Sequence, residues 1–213
     1  FFQFLQSYSK KNGLTLIFDE TISGIRTNGT TVQDILKLNP DISTFGKCFG
    51  GGFPIGIIAI KQKILSKISN LEKKVFFGGT FSANQISTKV GRMTLEHIMK
   101  NKKKIFSNLE IKSLKIEKEI KSHIEKNKIN ANIFRYCSMF RLVFSRKIPK
   151  DRVERDFLEK NKNVKIDKFR KFLFKKGIYY PSNGILFIST QTGINEIKKI
   201  IKNINLALLK YFK

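Results

Sequence analysis

Cysteine, histidine and acidic side chains are all scarce in this chain, and each scarcity closes off a class of function. The two cysteines, Cys48 and Cys137, lie far apart and form no C-x-x-C pair. That excludes a disulfide-stapled scaffold and fits two reduced thiols in a cytoplasmic protein. The two histidines, His97 and His123, stand far apart with no cysteine near either, so no metal centre is expected. No apolar run is long enough to cross a bilayer and no signal peptide is visible, so no membrane partner is expected. Acidic residues number 16 against 42 lysines and arginines, a formal net charge of +26, which ordinarily invites a nucleic-acid partner. Here the basic residues are dispersed among abundant isoleucine, asparagine and 20 phenylalanines, all residues of A- and T-rich codons. A genome with that bias raises lysine on every exposed helix without selecting for a polyanion. The charge is therefore read as compositional, and no nucleic acid is expected. The densest basic tract, Lys100–Lys104, reads as a solvated helix end or turn. A basic nucleic-acid-binding module remains the alternative from another class.

At 213 residues the chain can bury one sizeable core or two modest ones. It opens on Phe1, in what reads as a helix already under way, so a preceding region is expected. What is present is organised around Leu14–Gly56. Leu14–Phe18 is a short β-rich run of the kind buried on both faces of a sheet, and it ends in Asp19-Glu20. That places an acid at a strand's carboxyl end, where ligands of open α/β sheets sit. Ile42–Phe45 leads into Gly46-Lys47, and Gly50-Gly51-Gly52 follows. An amine forms an imine only when neutral, and an apolar setting favours the neutral form. Glycines beside it leave room for a flat cofactor. A carboxylate can hold a pyridine nitrogen protonated, making the ring an electron sink. Lys47 and Asp19 are thus the candidate pair, against the plainer possibility of a solvated lysine and a helix cap.

The remaining segments alternate between strands and helices. Residues 1–12 read as a helix with an apolar stripe of Phe1, Phe2, Phe4, Leu5 and Tyr8 against a sheet, closed by Asn12-Gly13. Thr21–Thr31 suits a loop over a site, with Arg26 placed to clamp a substrate carboxylate or to serve as an ordinary loop residue. A short helix over Val32–Leu38, a strand at Ile57–Ile60, a helix from Lys61 to Leu71 and a strand at Val75–Phe77 follow. Gly78-Gly79-Thr80-Phe81-Ser82-Ala83-Asn84 offers an anion site at a helix start, with Ser82 as the cap. Ile86 to Lys126 is helical, as one helix or two. Ile133–Phe144 reads as one strand with Arg141 exposed on it, or, less expectedly, meeting substrate. Asp151–Asn163 reads as a surface loop or weak helix. A helix over Ile166–Lys176, a strand near Ile178–Tyr180, a turn at 181–184, a strand at Ile185–Ser189 and a last helix from Asn195 to Tyr211 complete an α+β domain.

Three strings, FDETISGIR, PDISTFGKCFGGGFPIG and GGTFSANQIS, stand in an order that resembles the class III, fold type I aminotransferases that use pyridoxal phosphate. The nearest look is to their glutamate-1-semialdehyde aminomutase branch. The resemblance is dense to about Asn84 and thin beyond it. It implies an α/β fold with part of a fold type I large domain and its mostly parallel sheet over 1–95, a connecting helix over 96–127, and a small α+β domain over 128–213. It implies pyridoxal 5'-phosphate as cofactor, Lys47 as its imine-forming catalytic residue, Asp19 on the pyridine nitrogen, and Thr80 on the phosphate bound in the partner of a homodimer. It further implies an amine or carbonyl substrate and a region before Phe1 carrying the phosphate loop, without which the chain would be inactive. Three departures stand out: Ala83 and Gln85 replace a glycine and a proline, Ile57–Ile60 lacks the branch's extra glycines, and Pro181–Ser189 lacks its acidic insert. The expected activity is therefore amino-group transfer of this type, with true aminomutase chemistry as the alternative.

Overall fold

The opening helix, α1 (Phe2–Lys11), stops where Asn12 folds its side-chain amide back onto the Tyr8 carbonyl at 2.8 Å and Gly13 takes φ +65°. The structure, a computed structural model, describes residues 1–69 and 78–213. It divides into two units, 1–103 and 104–213, each taken by itself below. The strand expected at Val75–Phe77 lies outside the described residues.

In the first unit, β1 (Ile17–Asp19) pairs in parallel with β2 (Ile42–Gly46), and β2 pairs antiparallel with β3 (Gly56–Ile60). The antiparallel step follows from chain length. Residues 47–55 are too few for a crossover, so β3 must turn back along β2. Between β1 and β2 lie a turn-rich loop and α2 (Val32–Ile35), started by Thr31, whose hydroxyl accepts the Asp34 N–H at 3.2 Å. After β3 comes α3 (Gln62–Ser69). α4 (Gln85–Lys126) is one unbroken helix of 42 residues, and the division between units falls within it. The Lys100–Lys104 tract is thus mid-helix rather than at an end or in a turn.

The second unit holds the hydrophobic core. α4 contributes Leu109, Ile116, Ile120 and Ile124, spaced to share one face. α7 (Ile194–Phe212) contributes Ile197, Ile201, Ile204, Leu208 and Phe212 on the same principle. Between them stand α6 (Asn163–Lys175) with Phe169 and Leu173, and an antiparallel sheet of β4 (Asn132–Tyr136), β5 (Met139–Val143) and β6 (Ile185–Phe187) in that order. The phenylalanines interlock: Phe144 stacks on Phe212 at 4.2 Å, and Phe169 meets Phe144 and Tyr180 edge-on at 5.2 and 5.3 Å.

Several expectations are corrected. The run 133–144 is a hairpin, not one strand, because Cys137 at φ +51° reverses the chain without the usual glycine or asparagine. Asp151–Asn163 contains a true helix, α5 (Arg152–Glu159), held by reciprocal capping: Asp151 accepts the Glu154 N–H at 2.8 Å and Glu154 accepts the Lys150 N–H at 2.7 Å. Residues 178–180 are not a strand, although Ile178 and Tyr180 are buried. The first unit shows the largest difference. Leu14 and Ile17, expected inside, are 54% and 59% exposed, and Phe1, Phe4 and Tyr8 of α1 also face outward. Among the described residues, Ile25, Leu38 and Pro40 are the only buried apolar side chains of unit 1.

This asymmetry predicts unequal sensitivity to truncation. Phe169→Ala should cost about 3–5 kcal/mol through a cavity at fully buried aromatic contacts, whereas Ile58→Ala, on an exposed strand face, should cost about 0.5 kcal/mol or less; urea denaturation of both variants checks the contrast.

Candidate active site

Because β1 and β2 run in parallel, their carboxyl ends lie side by side, with Asp19 opposite Thr44. Asp19 Oδ1 accepts both the Thr21 N–H and the Thr44 hydroxyl, each at 2.9 Å. The Thr21 side chain does most to stabilise the ionised form, the Thr21 N–H and the Thr44 hydroxyl follow, and Lys47 adds a smaller Coulombic pull. The Asp19 carboxyl is therefore held below the usual carboxylate range. Lys47 follows the end of β2 on a 3-10 turn, Lys47–Gly50, and its backbone is left-handed at φ +53°. A lysine gains nothing locally from that conformation, so the surrounding fold imposes it. The two residues singled out by sequence thus share one sheet edge. The expected niche around the amine is not there: Lys47 is exposed, and unit 1 has little apolar surface turned inward to desolvate it.

Glu20 was passed over in the sequence except as the strand's end. Side chains alternate along a strand, so Asp19 faces out while Glu20 is fully buried. Its carboxylate takes the Ser23 hydroxyl and the Gln33 N–H, the latter at 2.7 Å. The Gln33 side chain in turn accepts the buried Ser43 hydroxyl at 2.7 Å, and the Glu20 N–H donates to the Thr44 carbonyl at 2.9 Å. Glu20 thereby pins the 21–31 loop to the sheet beside Asp19. The available signal was the acidic doublet itself, since two adjacent acids on a strand cannot share an environment.

Two of the glycines have a packing role. A Cβ on Gly51, at φ +59°, would lie 2.1 Å from the Thr94 hydroxyl, and one on Gly91 would lie 2.9 Å from the Phe49 carbonyl oxygen. They let the first part of α4 pass against the turn that carries Lys47, and so fix that turn's position. Gly52, at φ +101°, faces open space, where a Cβ would meet nothing within 4 Å.

Thr80 sits in an exposed turn. No hydrogen bond or ion pair among the described residues joins it to Asp19 or Lys47. The cap of α4 is Asn84, which accepts the Ser87 N–H at 3.0 Å, rather than Ser82. Ala83 takes φ +54°, the conformation that suits the glycine of the family pattern. Arg26 is half-buried in the loop after Glu20. Arg141 belongs to unit 2 and is not exposed as expected: its guanidinium is 23% accessible, bonds the Asn183 carbonyl and faces Glu159 at 3.6 Å. No helix is long and apolar enough to cross a membrane, and no cluster of candidate metal ligands occurs, among the described residues.

Residues 1–164 match the family described as Aminotransferase class-III. A glutamate-1-semialdehyde 2,1-aminomutase from Thermoplasma volcanium is 36% identical over 202 residues, covering 92% of this chain and 46% of that protein. The same-named protein of Methanococcus vannielii is 30% identical over 219 residues, covering 99% and 48%. Among solved structures, an omega-transaminase from Sphaerobacter thermophilus superposes with a TM-score of 0.82 at 21% identity, over 99% of this chain and 47% of that one. A glutamate-1-semialdehyde-aminomutase from Pseudomonas aeruginosa does so at 0.81 and 17%, over 96% and 46%. At those identities the structures establish a shared fold. The chain spans about half the length of the curated relatives it matches.

The Asp19 edge makes a pH prediction. Its depressed pKa contributes stability above the unfolded carboxyl's pKa, and that contribution disappears as pH falls through the folded value. Carbon-detected NMR should find Asp19 titrating below an ordinary aspartate. Thr21→Ala and Thr44→Val should each raise the value, and Lys47→Ala should raise it less; an unshifted Asp19 in the unsubstituted chain contradicts the geometry.

Proposed function

The chain belongs to the class-III aminotransferases, and on that premise we propose that it carries the amine-bearing edge of a pyridoxal-phosphate enzyme that transfers amino groups. The observation that carries this reading is the convergence of Asp19 and Lys47 on neighbouring carboxyl ends of β1 and β2. The donor set suits the cofactor. Asp19 is held ionised by neutral hydroxyl and amide donors, as a partner for a protonated ring nitrogen must be. Lys47 is a primary amine on a turn whose position α4 fixes. When bound, pyridoxal phosphate supplies the sink for the electron pair left on a substrate carbon that loses its proton.

The chain's own residues do the rest. Lys47 Nζ is the attachment point; once released it is a primary amine within the site, able to take a proton from the substrate carbon and return it to another. Thr80 is the proposed phosphate contact, reaching across a homodimer. Arg26 is retained as a proposed substrate carboxylate contact. Lys47 is exposed, whereas an imine-forming amine works best shielded from water. We therefore place a further polypeptide surface, from the partner subunit or from additional chain, over this edge in the working enzyme.

The relatives' shared name favours one second reading, an intramolecular exchange of amino and carbonyl groups. The short turn at 181–184, which lacks an acidic insert, leaves room for other substrates. Adding keto-acid acceptors separates the two: a transaminase accelerates with acceptor, an aminomutase does not.

The assignment of Lys47 is tested by incubating the full-length protein with pyridoxal phosphate, reducing with borohydride and mapping the modified peptide. The label should fall on Lys47 and vanish in Lys47→Ala, while Asp19→Asn should retain the label and lower turnover about a hundredfold or more. A label spread over the chain's other lysines would overturn the assignment.

A further inference from the structure

Unit 2 carries a cleft of about 930 Å³ between β5, α5, α6 and the turn 181–184. Five cations line it, Arg141, Arg152, Arg155, Lys160 and Arg170, against three carboxylates, Asp156, Glu159 and Asp167. All three acids are engaged. Glu159 accepts the Phe144 N–H at 3.0 Å and faces Arg141, Asp156 accepts Arg155 at 2.6 Å, and Asp167 accepts Arg170 at 3.1 Å. The cleft therefore keeps an excess of two positive charges.

Two of its donors are unspent. The Tyr180 hydroxyl, on a residue 3% exposed, has no acceptor for its proton among the described residues, and neither has the buried Nε–H of Arg141. Both groups belong to one locality, since the charges of Arg141, Glu159 and Arg170 all bear on the Tyr180 hydroxyl. Burial pushes the Tyr180 ionisation well above the ordinary tyrosine range, so the group stays a donor at any working pH. Buried polar groups in native proteins are almost always matched. Two unmatched donors beside committed carboxylates call for an acceptor, and the charge excess calls for an anion.

We propose that this cleft binds a small dianion, a dicarboxylate or a phosphate ester, with the Arg141 Nε–H and the Tyr180 O–H as its two buried contacts. The exposed Arg152, 84% accessible, and Lys160 stand at the rim and supply long-range attraction rather than fixed geometry. A cation is disfavoured because every carboxylate is already paired. The inference rests on unit 2 alone and not on the reaction proposed above.

The test uses the full chain and two probes, glutarate and glycerol phosphate, titrated calorimetrically at constant ionic strength, with chloride as control. Saturable binding of one probe identifies the ligand class. Arg141→Met should then weaken it about tenfold or more and Tyr180→Phe about fivefold, as expected for loss of a charged and a neutral hydrogen bond. Arg92→Met, on an exposed stretch of α4, should leave it unchanged. Should Arg141→Met fail to fold, Tyr180→Phe decides the matter and has a second readout: the rise in melting temperature that the bound probe gives the unsubstituted chain should shrink in this variant. Absence of saturable binding by both probes, or binding indifferent to Tyr180→Phe, overturns the proposal.

Discussion

The parallel pairing of β1 with β2 is the constraint on which the candidate site depends. Two strands that run the same way end at the same edge, so an acid that terminates one and a lysine just beyond the other lie on one edge without any loop having to bring them there. Asp19 opposite Thr44 is the register that sets this. A slip of one residue would bury the aspartate and expose Glu20. The network from Glu20 through Gln33 to Ser43 opposes that slip, since it is satisfied only when Glu20 points inward. Register, acid placement and loop anchoring are therefore one specification written in adjacent residues.

The two units obtain their stability by different means. Unit 2 packs helix faces and phenylalanine rings around a small antiparallel sheet, which is enough apolar burial to define a core. Unit 1 is held chiefly by strand pairing, turns, capping bonds and the Glu20 network, with few buried apolar side chains among its described residues. Backbone hydrogen bonds contribute modestly to net stability, because the unfolded chain makes them to water. Unit 1 also leaves several isoleucines and phenylalanines exposed, among them Ile17, Phe4, Phe53 and Ile58.

The sequence made the first sheet edge legible because its signals are local: a β-rich run, an acidic stop, a glycine-flanked lysine. The long helix was legible for the same reason. What escaped was set by contacts between distant residues. The hairpin at Cys137 carries no turn residue, so its reversal is imposed by pairing of β4 with β5. Arg141 looked like any exposed strand arginine, and the sequence does not announce that α5 and the 181–184 turn close over it. The helix α5 itself was discounted for low apolar content, although Asp151 and Glu154 spell out a capping box. The close passage of α4 over Gly51 was likewise invisible in the sequence, because Thr94 lies more than forty residues further on.

The exposure of Lys47 then bears on the chemistry. An amine in water is protonated at neutral pH and a poor nucleophile; the same amine under an apolar cover loses that charge more readily. Around this edge the chain presents apolar side chains that stand in water, Ile17 at 59%, Ile58 at 60% and Phe53 at 45% exposed. Covering them would remove apolar area from water at about 25 cal/mol per Å², a favourable term that grows with the surface applied. The same closure would strip solvent from Lys47. The further surface proposed for this edge would therefore bury these side chains and exclude water from Lys47 in one step.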